Sequence, residues 1–489
     1  MALDWTDSRI NFKLLFAALI VPLLAACSTN PATGEQQFAA LMSPQQEVKV
    51  GAQEHENVIQ QFGIYDNPAL AAYVNQVGQK VAQYTERSDV RYQFFVVDSP
   101  ITNAFALPGG YIYVSRGLLA LANSEAELAG VLGHEAGHIT GRHSAERYST
   151  GVVTSLGAAV IAAALGSDTA SQALGVGSDL LLKSYSRGQE HEADSLGIRY
   201  LARSGYDTKA MTWFLTNLQA DSALQGKLAG RDSQGASYFS THPATSERIS
   251  KTVSEANSHQ GQGRVNRDGY LKMLSGMPFG DSAAQGFVRG QDFYHTKMGF
   301  TFKVPDGFHL VNQPNAVVAT SKSGAVVLFD MAGNKQGVDA ATYLGQTWMK
   351  DQPINGIERV KVGGMNAASA GFQGRVNGQP MNIRLVAIEW KPDTIARFQI
   401  AIPANASQVL LEDLKRTTYS FRNLSASERQ SIQPYKLRIV TAAVSDSVAS
   451  LARKMPFDDY QEERFRVLNG LNPNEGIQPG RQYKIVSSR

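Results

Sequence analysis

One cysteine, Cys27, serves all 489 residues, so no intramolecular disulfide can form and thiol chemistry is not available elsewhere. An excess of charge of one sign is also missing: 46 basic against 43 acidic residues leave +3, which gives no electrostatic case for nucleic acid. Long apolar runs are scarce. Residues 14–24 are too few to cross a bilayer comfortably, and residues 152–165 are broken by Gly157 and followed by Asp168, which argues against a transmembrane hairpin. The hydrophobic share of 43% is ordinary for a soluble chain, and the length implies two or three domains.

What is present is His134-Glu135-Ala136-Gly137-His138. Four residues advance a helix slightly more than one turn, so both imidazoles leave the same face about 6 Å apart along the axis and can reach one metal ion. Glu135 projects roughly 100° round the helix and can take a proton from a metal-bound water without ligating the metal. The competing reading is a helix with two incidental histidines. Ser124 with Glu127 forms a capping-box pattern, and Leu128, Val131, Leu132 and Ile139 recur at helical spacing, which puts the motif on a helix. Gly130, Gly133, Gly137 and Gly141 each cost that helix roughly 1 kcal/mol against alanine and predict something packed closely on it.

A hydrolytic zinc takes a third protein ligand and keeps the fourth position for water. Ser186 with Gln189 is another capping-box pattern, and residues 190–204 read as a helix ending at Gly205, with Ala193, Leu196, Gly197, Tyr200 and Leu201 on its buried side. Glu190 and Asp194 are four apart, so one carboxylate can bind the metal while the other accepts the spare N–H of a ligand histidine and fixes its tautomer. Glu192 lies on a different face and reads as a solvated charge. His191 is not read as a ligand.

Taken together these segments resemble the M48 zinc metallopeptidases, which have the histidine pair on one helix and a Glu-x-x-Ala-Asp segment, here Glu190-His191-Glu192-Ala193-Asp194, on a later one. Residues 103–114 with Gly117-Leu118-Leu119 resemble the stretch before the family's metal helix, and residues 240–249 a stretch after it. The resemblance spans residues 43–253. It implies one Zn2+ per chain on His134, His138 and Glu190, Asp194 as the orienting carboxylate, and Glu135 as general base on a zinc-bound water, passing the proton to the leaving amine. Pro243 leaves His242 on a turn, from which it either donates to the oxyanion or fills the fourth zinc position and holds the site shut. Arg248 reads as a charge behind the ligands, or a structural one, rather than as a catalyst. Residues 111–115, after Gly109-Gly110, read as an exposed edge strand for an extended substrate or as an ordinary core strand. The Gly, Ala and Ser-rich stretch 151–182 reads as a lid over the cleft or as a buried helical hairpin.

Arg9 and Lys13 precede the apolar run at 14–24, and Leu24-Ala25-Ala26-Cys27 resembles a bacterial lipobox. This implies a signal peptide over 1–26, lipidation at Cys27 and a place on the periplasmic side of the envelope. Ser28 after the cysteine is similar to lipoproteins passed to the outer membrane. The expected order is a peptidase domain over 27–258, a linker over 259–289, an α+β accessory module over 290–430 and a domain over 431–489. Strands are expected at 300–305, 316–320, 325–329 and 397–402, with helices near 340–350 and 407–417. The tail resembles a LysM domain, a βααβ module that in bacteria often binds peptidoglycan, although Ser445 stands where glycine is usual. The expected fold class is α+β: a mainly helical zincin-type domain with a small sheet, then the two modules. The expected function is a zinc endopeptidase acting on misfolded or misassembled envelope proteins. Its alternative is an envelope assembly factor or chaperone-like binder whose metal site is normally closed.

Overall fold

Short polar residues open five helices by accepting a backbone N–H three residues on, the arrangement that satisfies a helix's first unpaired donors. Ser43, Asn67, Ser115, Ser124 and Ser186 cap α1 (Pro44–Phe62), α2 (Pro68–Ala82), α3 (Arg116–Leu121), α4 (Glu125–Thr140) and α6 (Arg187–Arg203), with α5 (His143–Ala164) before the last. The computed structural model describes residues 28–164, 184–229, 238–243, 246–259, 263–313, 315–351, 354, 356–376 and 378–488. The signal stretch, Cys27 and residues 165–183 of the expected lid lie outside them. At Ser124 the Glu127 carboxylate accepts Asn123 N at 2.9 Å, one residue ahead of where a capping box would place it. Helix α6 starts at Arg187, three residues before the expected start, because Ser186 is itself the cap. Four more helices follow before residue 275: α7 (Lys209–Ala229), α8 (Tyr238–Thr241), α9 (Ser246–Ser258) and α10 (Arg267–Leu274). Among the described residues no helix is long and apolar enough to cross a membrane.

Two small sheets accompany these helices. Strand β1 (Ser28–Thr29) pairs with β2 (Gln36–Gln37), and β3 (Gln93–Val97), β4 (Ala104–Leu107) and β5 (Tyr111–Ser115) form a sheet in the order β3-β5-β4. Strand β5 is therefore central, parallel to β3 and antiparallel to β4, which corrects the edge-strand reading of residues 111–115. The reason is the turn before it. Gly109 (φ 79°) and Gly110 (φ 105°) fold β4 back against β5, and a Cβ on Gly110 would sit 2.4 Å from Arg91 O.

The chain divides into two compact units, residues 1–275 with 438–485, and residues 276–437 with 486–489. The second is built on a seven-stranded antiparallel sheet in the spatial order 308–312, 317–321, 326–333, 394–403, 379–391, 365–376, 358–362. Phe302, Phe329, Phe398 and Phe421 belong to one hydrophobic core of this unit, and Tyr343, Leu344, Leu385 and Ile395 to another. The expected strands and both helices are found here. The first helix passes after Thr342 into a π-helical stretch, Tyr343–Trp348, and the second is Gln408–Tyr419. With helices and antiparallel sheets segregated in this way, the fold class is α+β.

The tail runs strand (Tyr435–Thr441), helix (Val448–Ala452), helix (Gln461–Asn469), strand (Gln482–Ser487). Residues 438–485 share the first compact unit, and Lys484 is the reason on the chemical side. Its ammonium is fully buried and donates to Ala120 O at 2.6 Å and Ala122 O at 2.7 Å, at the carbonyl end of α3, the end that favours a cation. Asn469 fixes the strand that carries it, accepting Lys484 N and donating to Lys484 O. Lys484→Met leaves those buried carbonyls without a donor and is expected to destabilise this unit by about 3 kcal/mol. A urea titration followed by circular dichroism checks it, and an unchanged midpoint would show that the ammonium contributes nothing.

Candidate metal centre

Helices α4 and α6 lie close together because small residues face each other. A Cβ on Gly137 would come within 3.1 Å of Ala193 Cα, one on Gly133 within 3.4 Å of Gly197 Cα, and one on Gly197 within 3.1 Å of His134 N. The glycines that weaken α4 as a helix thus let the backbone of α6 approach it. That approach sets the carboxylates of α6 against the imidazoles of α4.

His134, His138, Glu190 and His242 are all buried, and one donor atom from each lies within 4.8 Å of the others, a set that could hold a metal ion. His138 Nε2 is 3.1 Å from His134 Nε2 and 3.4 Å from Glu190 Oε1, while His134 Nε2 is 3.7 Å from Glu190 Oε2. His242 Nδ1 is 3.3 Å from His134 Nε2 and 2.9 Å from Glu190 Oε1. A tetrahedral ion with bonds of about 2.0–2.1 Å sets its donors about 3.3 Å apart, so this spread of separations fits zinc. The protonation states of two of the donors fit too. Burial holds the His138 imidazole neutral, its pKa well below the usual value despite Glu190 nearby. Burial alone would push the Glu190 carboxyl up, but His242 and Arg248 hold it well below the carboxylate range. A neutral imidazole and an ionised carboxylate are the forms that bind metal.

Glu135 is fully buried on the same helix turn, and neither of its oxygens has a hydrogen-bond partner among the described residues. His242 Nε2 lies 3.5 Å from Glu135 Oε1. Burial raises the Glu135 pKa, against the pull of His242 and His134.

The supporting residues close around this cluster. Asp194 Oδ1 stands 2.9 Å from His134 Nδ1, and Arg248, on α9, reaches Asp194 at 2.6 and 2.8 Å and Glu190 Oε2 at 2.5 Å. Tyr185 stacks on His138 at 3.6 Å between ring centroids, with the Arg147 guanidinium on it at 3.7 Å, and Tyr238 stacks on His242 at 4.3 Å. These contacts were not legible from spacing, since the tyrosines flank α6 and lie in α8, far from His134 in the chain. Glu192 departs from the expected solvated charge. It is half-buried, 3.5 Å from His143 Nε2, and accepts Asn30 Nδ2 at 2.6 Å, because the start of α5 and the segment carrying Asn30 cover that face of α6.

Residues 68–256, which contain all four donors, match the model of peptidase family M48. The mitochondrial metalloendopeptidase OMA1 of Schizosaccharomyces pombe is 29% identical over 252 residues, covering 49% of this chain and 71% of that protein. The mitochondrial metalloendopeptidase OMA1 of Arabidopsis thaliana is 38% identical over 169 residues, 34% of this chain and 32% of that one. The β-barrel assembly-enhancing protease of Escherichia coli is 29% identical over 203 residues, 40% of each chain. The match to this bacterial relative therefore spans less than half of its length.

Proposed function

We propose that the chain, whose residues 68–256 match the model of peptidase family M48 and hold four buried donors able to bind zinc, is a zinc endopeptidase that hydrolyses misfolded or misassembled cell-envelope proteins. The observation that carries this reading is Glu135, a buried carboxylate held beside the donor set with both oxygens free of hydrogen bonds among the described residues. Zinc, when bound, supplies the Lewis acidity that acidifies a water molecule and polarises a scissile carbonyl. Glu135 takes the water's proton and returns it to the leaving amine, and its raised pKa brings it nearer to the range where a general base works at neutral pH. Asp194 fixes the tautomer of His134 by accepting at Nδ1, and Arg248 holds Asp194 and Glu190 in place. The position of His242 Nδ1 among the donors supports its reading as the ligand that closes the site. Its Nε2, turned toward Glu135, supports the other role, donation to the developing oxyanion. An extended substrate is best served by β4, an end strand of its sheet, whose preceding residue Asn103 accepts from Thr241 Oγ1 beside His242 at 3.4 Å.

The setting is proposed on the same footing. The bacterial relatives named β-barrel assembly-enhancing proteases support an envelope location, and the lipobox-like stretch supports a signal peptide over 1–26 and a lipid anchor at Cys27, on the periplasmic side and in the outer membrane. The strand-helix-helix-strand order supports a LysM-like tail over 431–489 in contact with peptidoglycan, after an accessory module over 290–430. The four-donor arrangement also gives substance to the second reading, an assembly factor or chaperone-like binder whose metal site is normally closed. Protein termini from the envelope fraction of cells with and without the chain decide the matter. Fragments of envelope proteins that disappear with the chain support the peptidase, and identical termini in both would refute it.

A further inference from the structure

The turn from α4 to α5 returns the chain onto the metal helix. Gly141 ends α4, Arg142 follows at φ 54°, in the left-handed region, and His143 opens α5. Glu47 Oε1 and the Met42 carbonyl hold Arg142 there, at 2.8 and 2.6 Å, which is the kind of anchoring a disfavoured backbone angle needs to persist. What the turn delivers is the buried His143 ring, with Nδ1 2.8 Å from His138 Nδ1.

Donor and acceptor roles along this line follow from one another. His138 Nε2 faces the donor cluster and carries the lone pair, so the proton sits on its Nδ1. His143 Nδ1 accepts that proton's hydrogen bond, which leaves the His143 proton on Nε2, 3.5 Å from Glu192 Oε2. Glu192 Oε1 accepts from Asn30 Nδ2, and the Asn30 amide is oriented because its Oδ1 accepts Ala32 N and Thr33 N. Gly141 leaves the room for this line: a Cβ there would lie 2.4 Å from His143 Nε2 and 2.9 Å from Glu192 Oε1. His134 has a carboxylate directly at its Nδ1, and His138 reaches one through a second imidazole.

We propose that His143 is a positioning residue for the metal ligand His138, fixed by Glu192 and through it by Asn30, so that the segment following Cys27 helps to set the metal affinity of the site. This rests on the zinc reading of the donor cluster. Partners that orient a ligating histidine typically change metal affinity 10–100-fold when removed.

The test is zinc affinity of the full chain by competition with a chromogenic chelator, with the Co2+ absorption spectrum as a second readout. His143→Ala is expected to weaken zinc binding roughly 30-fold and to shift the cobalt bands, Glu192→Gln and Asn30→Ala to act in the same direction more weakly. The double variant His143→Ala with Glu192→Gln is expected to match His143→Ala alone, since both remove one line of support. Gly141→Ala reaches the same line from the backbone and is expected to weaken zinc binding as well. Wild-type zinc affinity in His143→Ala, or full additivity in the double variant, would overturn the proposal. A loss that merely follows the melting temperature across all five variants, with unshifted cobalt bands, would overturn it too. A wild-type chain that binds no zinc would remove both this inference and the zinc reading, whereas zinc bound equally by wild type and His143→Ala would remove this inference alone.

Discussion

Glu135→Gln is expected to abolish peptide hydrolysis, about 10³-fold in turnover, while zinc content stays at the wild-type level. The substitution keeps the size of the side chain and removes its ability to take a proton. Glu135 lies outside the donor set of His134, His138, Glu190 and His242, so ligation is untouched. Burial already disfavours the ionised carboxylate, with neither oxygen hydrogen-bonded among the described residues, so a neutral amide of the same shape is expected to leave the melting temperature equal or higher. Three measurements on one protein check this: turnover on an unfolded substrate, bound zinc, and thermal unfolding. Wild-type turnover in the variant would place the base elsewhere. In cells the same variant separates the two functional readings, because envelope quality control that survives without cleavage favours the binder.

Much of the metal centre is local and therefore readable. His134 and His138 share a helix face by spacing alone, the glycines of α4 announce a close neighbour, and Glu190 and Asp194 occupy one face of the next capped helix. Their meeting depends on helix packing that small residues permit, and small residues are visible in a sequence. What could not be read is what approaches from far away in the chain. His143 is five residues past His138, but only the left-handed turn at Arg142 folds it back, and that turn depends on Glu47, some 95 positions away. Glu192 looked solvated because helical spacing gives faces without saying which are covered, and Asn30 covers this one from 162 positions away. Strand β5 was legible as a strand but not as a central one, since its neighbours are chosen by the Gly109-Gly110 turn and by β3. In the second unit, the long hairpin over 365–391 hides behind Ala367, Ala368, Ala370, Gly371 and Gly374. Low β-propensity there gives way to packing, with Ala367 in one core and Ala368 and Ala370 in the other.

Arg248→Met is expected to lower the melting temperature of the metal-free protein by about 10 °C and that of the zinc-loaded protein by less. Arg248 is fully buried and spans two carboxylates of α6, Asp194 through two nitrogens and Glu190 through a third. Methionine fills much of the same volume but leaves two buried carboxylates with no cation between them, a change that costs about 3–5 kcal/mol. For a unit of this size each kcal/mol moves the midpoint by roughly 2–4 °C. Zinc brings positive charge to Glu190 and stabilises the folded state by binding it, which narrows the gap between variant and wild type in the loaded protein. The pH dependence has a definite sign. Burial would raise the Asp194 pKa, but Arg248 and His134 draw it below its ordinary value, so its contribution is present above the unfolded pKa and fades as pH falls through the folded one. Without Arg248 most of that contribution is lost, so the metal-free proteins differ most near pH 7 and by less at pH 4, the gap closing only as pH falls through the folded pKa. Scanning calorimetry of both proteins, with and without chelator at pH 7 and pH 4, measures all of this. An equal drop in the two metal states would mean that Arg248 acts through packing alone, independently of the carboxylates that it joins.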